Sequence, residues 1–330
     1  MLKTEISVIM LTYNREGLVA RAIESILNQT YQNFEFIIVN NGSTDGSGTI
    51  ADKYALRDSR IKVIHRERGN IGSGRNAGLD AAVGEYIAFI DDDDYAETDF
   101  LEFLYNLVKI HNADIAVCGS MKEENGELLP NGNYLYDEKY VMDAEQAMIN
   151  FLWRRLYNAA MPTKLVRRYL FNNIRFLGEG SYDDITTTYR YFANAKLVVA
   201  HGLPKYCFYR HPGNNSSAAT KHYLLNPVQL SEYLSAFRER TKYISEILPQ
   251  LTDLALYSEW SYMISMIEKI HRNGLNNCGD SIKYMCRELL LHCDEFYNGK
   301  FIEQFEMEWM EKYIFNNEII KGDLNESKIR

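Results

Sequence analysis

Four consecutive aspartates, Asp91 to Asp94, follow the apolar run Tyr86-Ile87-Ala88-Phe89-Ile90. Adjacent carboxylates repel one another, which raises the proton affinity of some of them unless a cation intervenes. Hard divalent cations such as Mg2+ and Mn2+ prefer oxygen ligands and are often held by one or two carboxylates plus substrate phosphates. The same residues also suit a solvated acidic turn before the helix that starts near Thr98. A second polar cluster, Gly69-Asn70-Ile71-Gly72-Ser73-Gly74-Arg75-Asn76-Ala77-Gly78, lacks the GxxxxGK[ST] pattern and is not a P-loop. It offers close backbone approach, one Arg and two Asn in a loop entering a helix, groups that fit a nucleotide base or phosphate.

Elements that could position these groups alternate along the first 120 residues. Ile6–Leu11, Phe34–Val39, Ile61–Ile64, Tyr86–Ile90 and Ile115–Val117 are short apolar runs that predict buried strands. Between them Leu18, Val19, Ala22, Ile23, Ile26 and Leu27 recur at helical spacing, and further helices are expected to about Arg57, after Gly78, and from Thr98 to about Asn112. Alternation with short connections predicts an α/β fold with a mostly parallel sheet covered by helices. Ligands of such sheets bind outside the carboxyl ends of the strands. Thr12-Tyr13-Asn14, Asn40-Asn41-Gly42 and Asp91 to Asp94 stand at those ends, which favours the cation reading of the aspartates. From about Tyr136 to Ala219 the pattern mixes helix and short strand, and from about Tyr223 it is helical.

Composition narrows the classes. The 330 residues suit one large domain or one domain with an appendage. Acids exceed bases, 45 to 36, for a net charge of −9, which disfavours a sequence-independent nucleic-acid binder. Five scattered cysteines, an odd number, suggest reduced thiols in a cytosolic protein. Cys278, Cys286, Cys293, His271 and His292 cluster in sequence without the short fixed spacing of a zinc site. No apolar run approaches the ~18 residues of a membrane span, and Val8–Leu11 is too short for a signal-peptide core. The expectation is therefore a cytoplasmic protein, with a peripheral contact at the inner face of the membrane as a further expectation.

Five segments in order, SVIMLTYN, FEFIIVNNGSTDGS, GNIGSGRNAGLDAAVGEYIAFIDDDDY, GEGSYDDITTTYRYF and KYCFYRHPGNNSS, resemble the motifs of family 2 glycosyltransferases. The resemblance covers about residues 4 to 218. It implies a GT-A fold over residues 1–218 and an inverting, metal-dependent sugar transferase, and the helical pattern beyond makes 219–330 a separate C-terminal region. Thr12, Tyr13 and Asn14 would line the nucleotide base. Asn40, Asn70 and Arg75 would complete the base and ribose contacts. Asp93 would contact the ribose and the metal shell, and Asp94 would ligate Mn2+ or Mg2+ bridging the donor's diphosphate. Asp184 matches the catalytic base, and Arg210 and His211 match a basic loop closing over the diphosphate. The plain reading of Asp183-Asp184 is N-capping of the helix Ile185–Ala193, and that of Arg210-His211 is a solvated loop pair. An inverting transfer does need these types: a base for the acceptor hydroxyl, and positive charge for the departing diphosphate.

Two departures from the family pattern matter. Leu11 stands where Pro is usual, and Asn40-Asn41 where Asp-Asp is usual. A carboxylate at position 40 would only accept, which suits uracil N3–H, whereas an amide also donates. A UDP-sugar donor is still expected. The expected acceptor is a hydroxyl of a glycan, lipid-linked glycan or teichoic-acid-like polymer of the cell surface. Arg154, Arg155, Lys164, Arg167, Arg168 and Arg175 lie in a stretch with no acidic residue between Glu145 and Glu179. They form either a solvated face or a contact for an anionic acceptor at a membrane. The C-terminal helices would shape the acceptor side or an oligomer interface. The rival readings are an inert nucleotide-sugar binding module and an assembly partner.

Overall fold

Strand β1 (Ile6–Thr12) is apolar on both faces and nearly all buried, so it needs cover on both sides. The computed structural model describes residues 3–129, 132–214 and 222–316. In it β1 lies between β2 (Phe34–Asn40) and β4 (Tyr86–Asp91), parallel to both. Beyond β2 comes β3 (Ile61–His65), also parallel. On the other side β9 (Lys164–Arg167) runs antiparallel between β4 and β6 (Ile115–Glu124). The long β10 (Val198–Arg210) then pairs in parallel with β6. The two-residue β5 (Tyr95–Ala96) closes the path, in the order β3-β2-β1-β4-β9-β6-β10-β5. Glu127–Leu128 (β7) pairs with β6, and Lys139–Met142 (β8) pairs with β10.

Helix α1 (Val19–Leu27) buries Val19, Ala22, Ile23 and Ile26, one stripe at helical spacing. With α4 (Phe100–His111), which buries Phe100, Leu101, Leu104 and Val108, it covers one face of the sheet. Val8, Met10, Phe36, Ile38, Ala88 and Ile90 complete that core. Helix α2 (Ser47–Ala55) packs by β3 and α1. Helix α3 (Ile71–Ala81) packs on β1 and β2. It starts inside the glycine-rich run, so Gly72 and Gly74 are packing positions. A Cβ on Gly74 would collide with the Leu11 side chain, and one on Gly72 with the Leu177 carbonyl. Leu11 in place of proline thus fills room that Gly74 leaves. Helices α5 (Ala144–Trp153) and α6 (Asp184–Asn194) pack on each other.

The chain divides into two compact units, Met1–His211 and Pro212–Arg330. In the second, Asn226 caps the helix Pro227–Ile247 by accepting from the Gln229 N–H, with Pro227 in its first turn. That helix packs against Thr252–Arg272, burying Leu230, Phe237, Ile244, Ala255, Met263 and Ile267. Gly279–Leu291, Cys293–Tyr297 and Gln304–Met310 follow. His271 stacks on Tyr313 and His292 on Trp260. The boundary expected at residue 218 lies outside the described residues. No helix among the described residues is long and apolar enough to cross a membrane.

Candidate active site

Thr12 ends β1, and Tyr13 and Asn14 follow it above the sheet. Thr12 is fully buried. The Tyr13 N–H donates to Asp92 Oδ2 at 3.0 Å, and the Arg68 guanidinium lies 4.3 Å over the Tyr13 ring. Asn14 takes a left-handed backbone, φ 52°. Its Oδ1 accepts from the Thr44 N–H at 2.8 Å. The Asn14 side chain ties the β1 loop to the β2 loop. Asn40 ends β2, buried, with its amide between the Ser43 N–H and His65. Asn41 pairs both ways with the Gly69 backbone, at 2.8 and 3.2 Å.

The acidic run sits where β4 ends, as its position in the sequence required. Its four carboxylates are not equivalent. Asp91 keeps 42% of its side chain open, though it is ringed by Asp93, Asp183 and Asp184. Asp94 is 3% exposed. Its Oδ1 accepts from the Tyr209 N–H and its Oδ2 from the Tyr206 hydroxyl, both at 2.8 Å. The Tyr206 hydroxyl also accepts from the Asp91 N–H at 3.1 Å, so β10 fixes the turn. Asp93 Oδ2 is 2.9 Å from His211 Nε2 and 3.9 Å from the Arg15 guanidinium. Burial and the neighbouring Asp93 charge push Asp92 up to about 7, and burial with the Asp91 and Asp93 charges pushes Asp94 well above the usual carboxylate range. A divalent cation would relieve that repulsion.

Across the cleft floor, Arg75 of α3 reaches the second acidic pair. Its guanidinium is 5% exposed and binds three carboxylates: Asp183 at 2.6 Å, Asp184, and Asp91 at 3.3 Å. The surrounding negative charge more than offsets burial and raises the guanidinium's proton affinity. Arg75, expected to contact the nucleotide, thus bridges the acidic run to the Asp183-Asp184 pair. Asp184 opens α6 as its first residue, and Asp183, at the N-cap position, makes no side-chain cap bond. Asp183 is 7% exposed, and Asp184 keeps 25% of its side chain open. Lys164 on β9 is fully buried, and burial lowers its ammonium to about 8 while the Asp184 charge opposes that shift.

Asn70 caps α3, accepting from the Ser73 N–H at 2.9 Å. Its Nδ2 donates to the Leu177 and Gly180 carbonyls, so its amide ties α3 to the loop before α6. Of the basic pair, His211 reaches Asp93 and stacks on Tyr209, ring centroids 5.5 Å apart. Arg210 lies over Phe208, 5.6 Å away, and beside Lys122. Asp91, Asp93, Asp183, Asp184, Arg75 and His211 are thereby linked through direct contacts or through Asp91 and Asp93. Arg68 and Arg15 join the site from outside the quoted motifs, and Tyr206 and Tyr209 join it from within the KYCFYRHPGNNSS segment.

A cation at this site would meet an all-oxygen donor set, the chemistry that suits Mg2+ or Mn2+. Among the described residues no three His, Cys, Asp or Glu side chains converge into a self-sufficient cage. Such a cation would therefore draw further ligands from a bound diphosphate or water.

The model of the family described as "Glycosyl transferase family 2" matches residues 7–176. The chain is 32% identical over 220 residues to "Glycosyltransferase GlyG" of Streptococcus pneumoniae, covering 63% of this chain and 72% of that one. It is 29% identical over 223 residues to "Poly(ribitol-phosphate) beta-glucosyltransferase" of Bacillus spizizenii, covering 65% of this chain and 34% of the relative. Two further curated relatives are matched over 27% and 47% of their own length. Among solved structures, residues 1–349 of S. aureus TarS, in complex with UDP-GlcNAc, superpose with a TM-score of 0.62 at 22% identity. That match covers 89% of this chain and 79% of that one. It speaks to the fold, a GT-A-like α/β sheet.

Proposed function

The chain belongs to glycosyl transferase family 2, and from that premise we propose that it moves one sugar, with inversion, from a UDP-sugar to a glycan hydroxyl. The observation that carries this reading is the meeting of three motifs far apart in sequence, through Arg75, Asp91 and Asp93, at the carboxyl end of β4. The TarS complex supports a uridine donor, being that of a UDP-sugar bound to a similar fold. The Bacillus relative, named for poly(ribitol-phosphate), supports a polymer as acceptor.

Residues 1–218 carry the chemistry in this reading. Asp184 is the general base and takes the proton of the acceptor hydroxyl. Arg75 holds its carboxylate in place. Asp183 shares that guanidinium from a more buried position and acts as a positioning group. Tyr13, backed by Arg68, offers a ring for the nucleobase, with Thr12 and Asn40 beside it. Asp93 and Asp94 would hold Mn2+ or Mg2+, the Tyr206 and Tyr209 bonds keeping Asp94 fixed. When bound, that cation would supply positive charge for the diphosphate oxygens. His211 stands beside Asp93, placed to donate to the departing diphosphate, and Arg210 would add charge from the end of β10.

The test is nucleotide release from a panel of nucleotide sugars, with wild type and Asp184→Asn compared in the presence of acceptor. Transfer should fall by roughly 10²–10⁴-fold in the variant while UDP-sugar binding is nearly unchanged. Normal transfer by Asp184→Asn would remove Asp184 from the base role.

A further inference from the structure

We propose that His65 and Asp52 act as an orientation lock on Asn40, making the site select nucleobases that present an N–H at the ring nitrogen facing this residue. This rests on the reading that the ends of β1 and β2 receive the base. Asn40 is the last residue of β2 and pairs in register with Thr12 of β1 and His65 of β3. It is 8% exposed, so its few polar contacts decide how its amide lies.

Three contacts fix that amide one way round. The Ser43 N–H, which can only donate, points at Oδ1 from 3.0 Å. The Nδ2 group lies 3.0 Å from His65 Nδ1. An amide NH2 can only donate, so Nδ1 must be the bare nitrogen of a neutral imidazole. The other ring nitrogen, Nε2, is 2.9 Å from Asp52 Oδ1 on α2 and carries the proton that the carboxylate accepts. Asp52 thus selects the tautomer that lets His65 accept from Asn40. Turning the amide over would set NH2 against the Ser43 N–H and leave His65 Nδ1 facing an oxygen. Gly48 closes the remaining side: a Cβ there would lie 2.5 Å from Asn40 Nδ2 and 3.4 Å from His65 Cε1.

Locked in this way, Asn40 keeps one lone pair on Oδ1 and one hydrogen on Nδ2. Its oxygen can accept a ring N–H while its nitrogen donates to the neighbouring carbonyl. Uracil and thymine carry that edge at N3–H and O4, and guanine at N1–H and O6. Cytosine offers a bare ring nitrogen beside an amino group and is matched only by the overturned amide. The lock therefore lets an amide do what a carboxylate does by charge alone. The Tyr13 ring, with Arg68 over it, would meet only the face of a base and so would not distinguish its edges.

The experiment is isothermal titration of UDP and CDP with Mn2+ into the full chain, for wild type, His65→Ala and Asp52→Asn. Half of the His65 side chain is exposed, so the substitutions should leave the melting temperature close to wild type. Wild type should prefer UDP. His65→Ala should shrink the UDP:CDP affinity ratio by roughly tenfold, the value of one neutral hydrogen bond. Asp52→Asn should move it the same way by less. A ratio unchanged in His65→Ala, or a wild type that prefers CDP, overturns the proposal and leaves the transferase reading standing. A wild type that binds no nucleoside diphosphate at all overturns the base-site reading as well.

Discussion

Asp183 is 7% exposed, and burial lifts its carboxyl from 3.8 to about 6 even though Arg75 and backbone contacts pull the other way. Between those values the folded chain holds a proton that the unfolded chain has released. This contribution is therefore fully present below about pH 3.8 and is lost as pH rises through about 6. Asp183→Asn removes the titration. Urea unfolding at pH 7.5 and pH 4.5 should show wild type gaining about 1–3 kcal/mol over the variant on acidification. A difference that moves in the opposite direction would mean Arg75 keeps Asp183 ionised throughout. The chemistry of such residues was only half legible in the sequence. The aspartates announced themselves because like charges in a row, or beside a helix start, have few roles. What they touch did not: Arg75 meets Asp183 across 108 positions and Tyr206 meets Asp94 across 112. Residue type and spacing say nothing of contacts made only when strands align, so Arg68, His65 and Tyr206 drew no notice.

Helix α3 shows the same limit one level up. Its glycines suggested a loop wrapped on a ligand, yet Asn70 caps a helix that begins at the next residue. The glycines bring that helix close to β1 and to the Leu177 backbone, which sets the height of Arg75 over the sheet. Two substitutions separate the causes. Alanine gains about 1 kcal/mol of helix propensity over glycine at either site. At Gly74 the obstacle is the end of the Leu11 side chain, which can turn aside. At Gly72 it is a backbone carbonyl, which cannot, so overpacking of about 1–3 kcal/mol should prevail. Chemical denaturation should find Gly74→Ala near wild type and Gly72→Ala less stable; equal losses would show that Leu11 is held as rigidly as backbone. The parallel strands were readable because each is an unbroken apolar run. Strand β9 was not: two of its four residues are charged, and its place between β4 and β6 is set by pairing on both edges. The length of β10 was hidden likewise by Gly202 and Pro204, where its register shifts.

At the scale of the molecule, the acidic total of −9 and the basic stretch from Arg154 to Arg175 make opposite suggestions about anionic surfaces. The fold decides most of that contest by using the cations internally. Lys164 is buried. Arg167 pairs with Glu85 and Asp114, Arg175 pairs with Asp80, and Arg168 donates to the Gly84 carbonyl. Arg154 and Arg155 remain exposed, the first in a left-handed helix cap and the second over the Trp153 ring. Near an anionic bilayer each arginine contributes about 1 kcal/mol, screened within about 8 Å at physiological salt. Two of them supply about 2 kcal/mol, against the repulsion of a net negative chain. Co-sedimentation with phosphatidylglycerol vesicles should therefore be weak at 0.15 M salt, stronger at low salt, and abolished by charge reversal in Arg154→Glu with Arg155→Glu. Firm binding that survives both the salt and the double reversal would place the membrane contact on a surface outside this stretch, and would make net charge as poor a guide to the acceptor as it is to an anionic nucleotide.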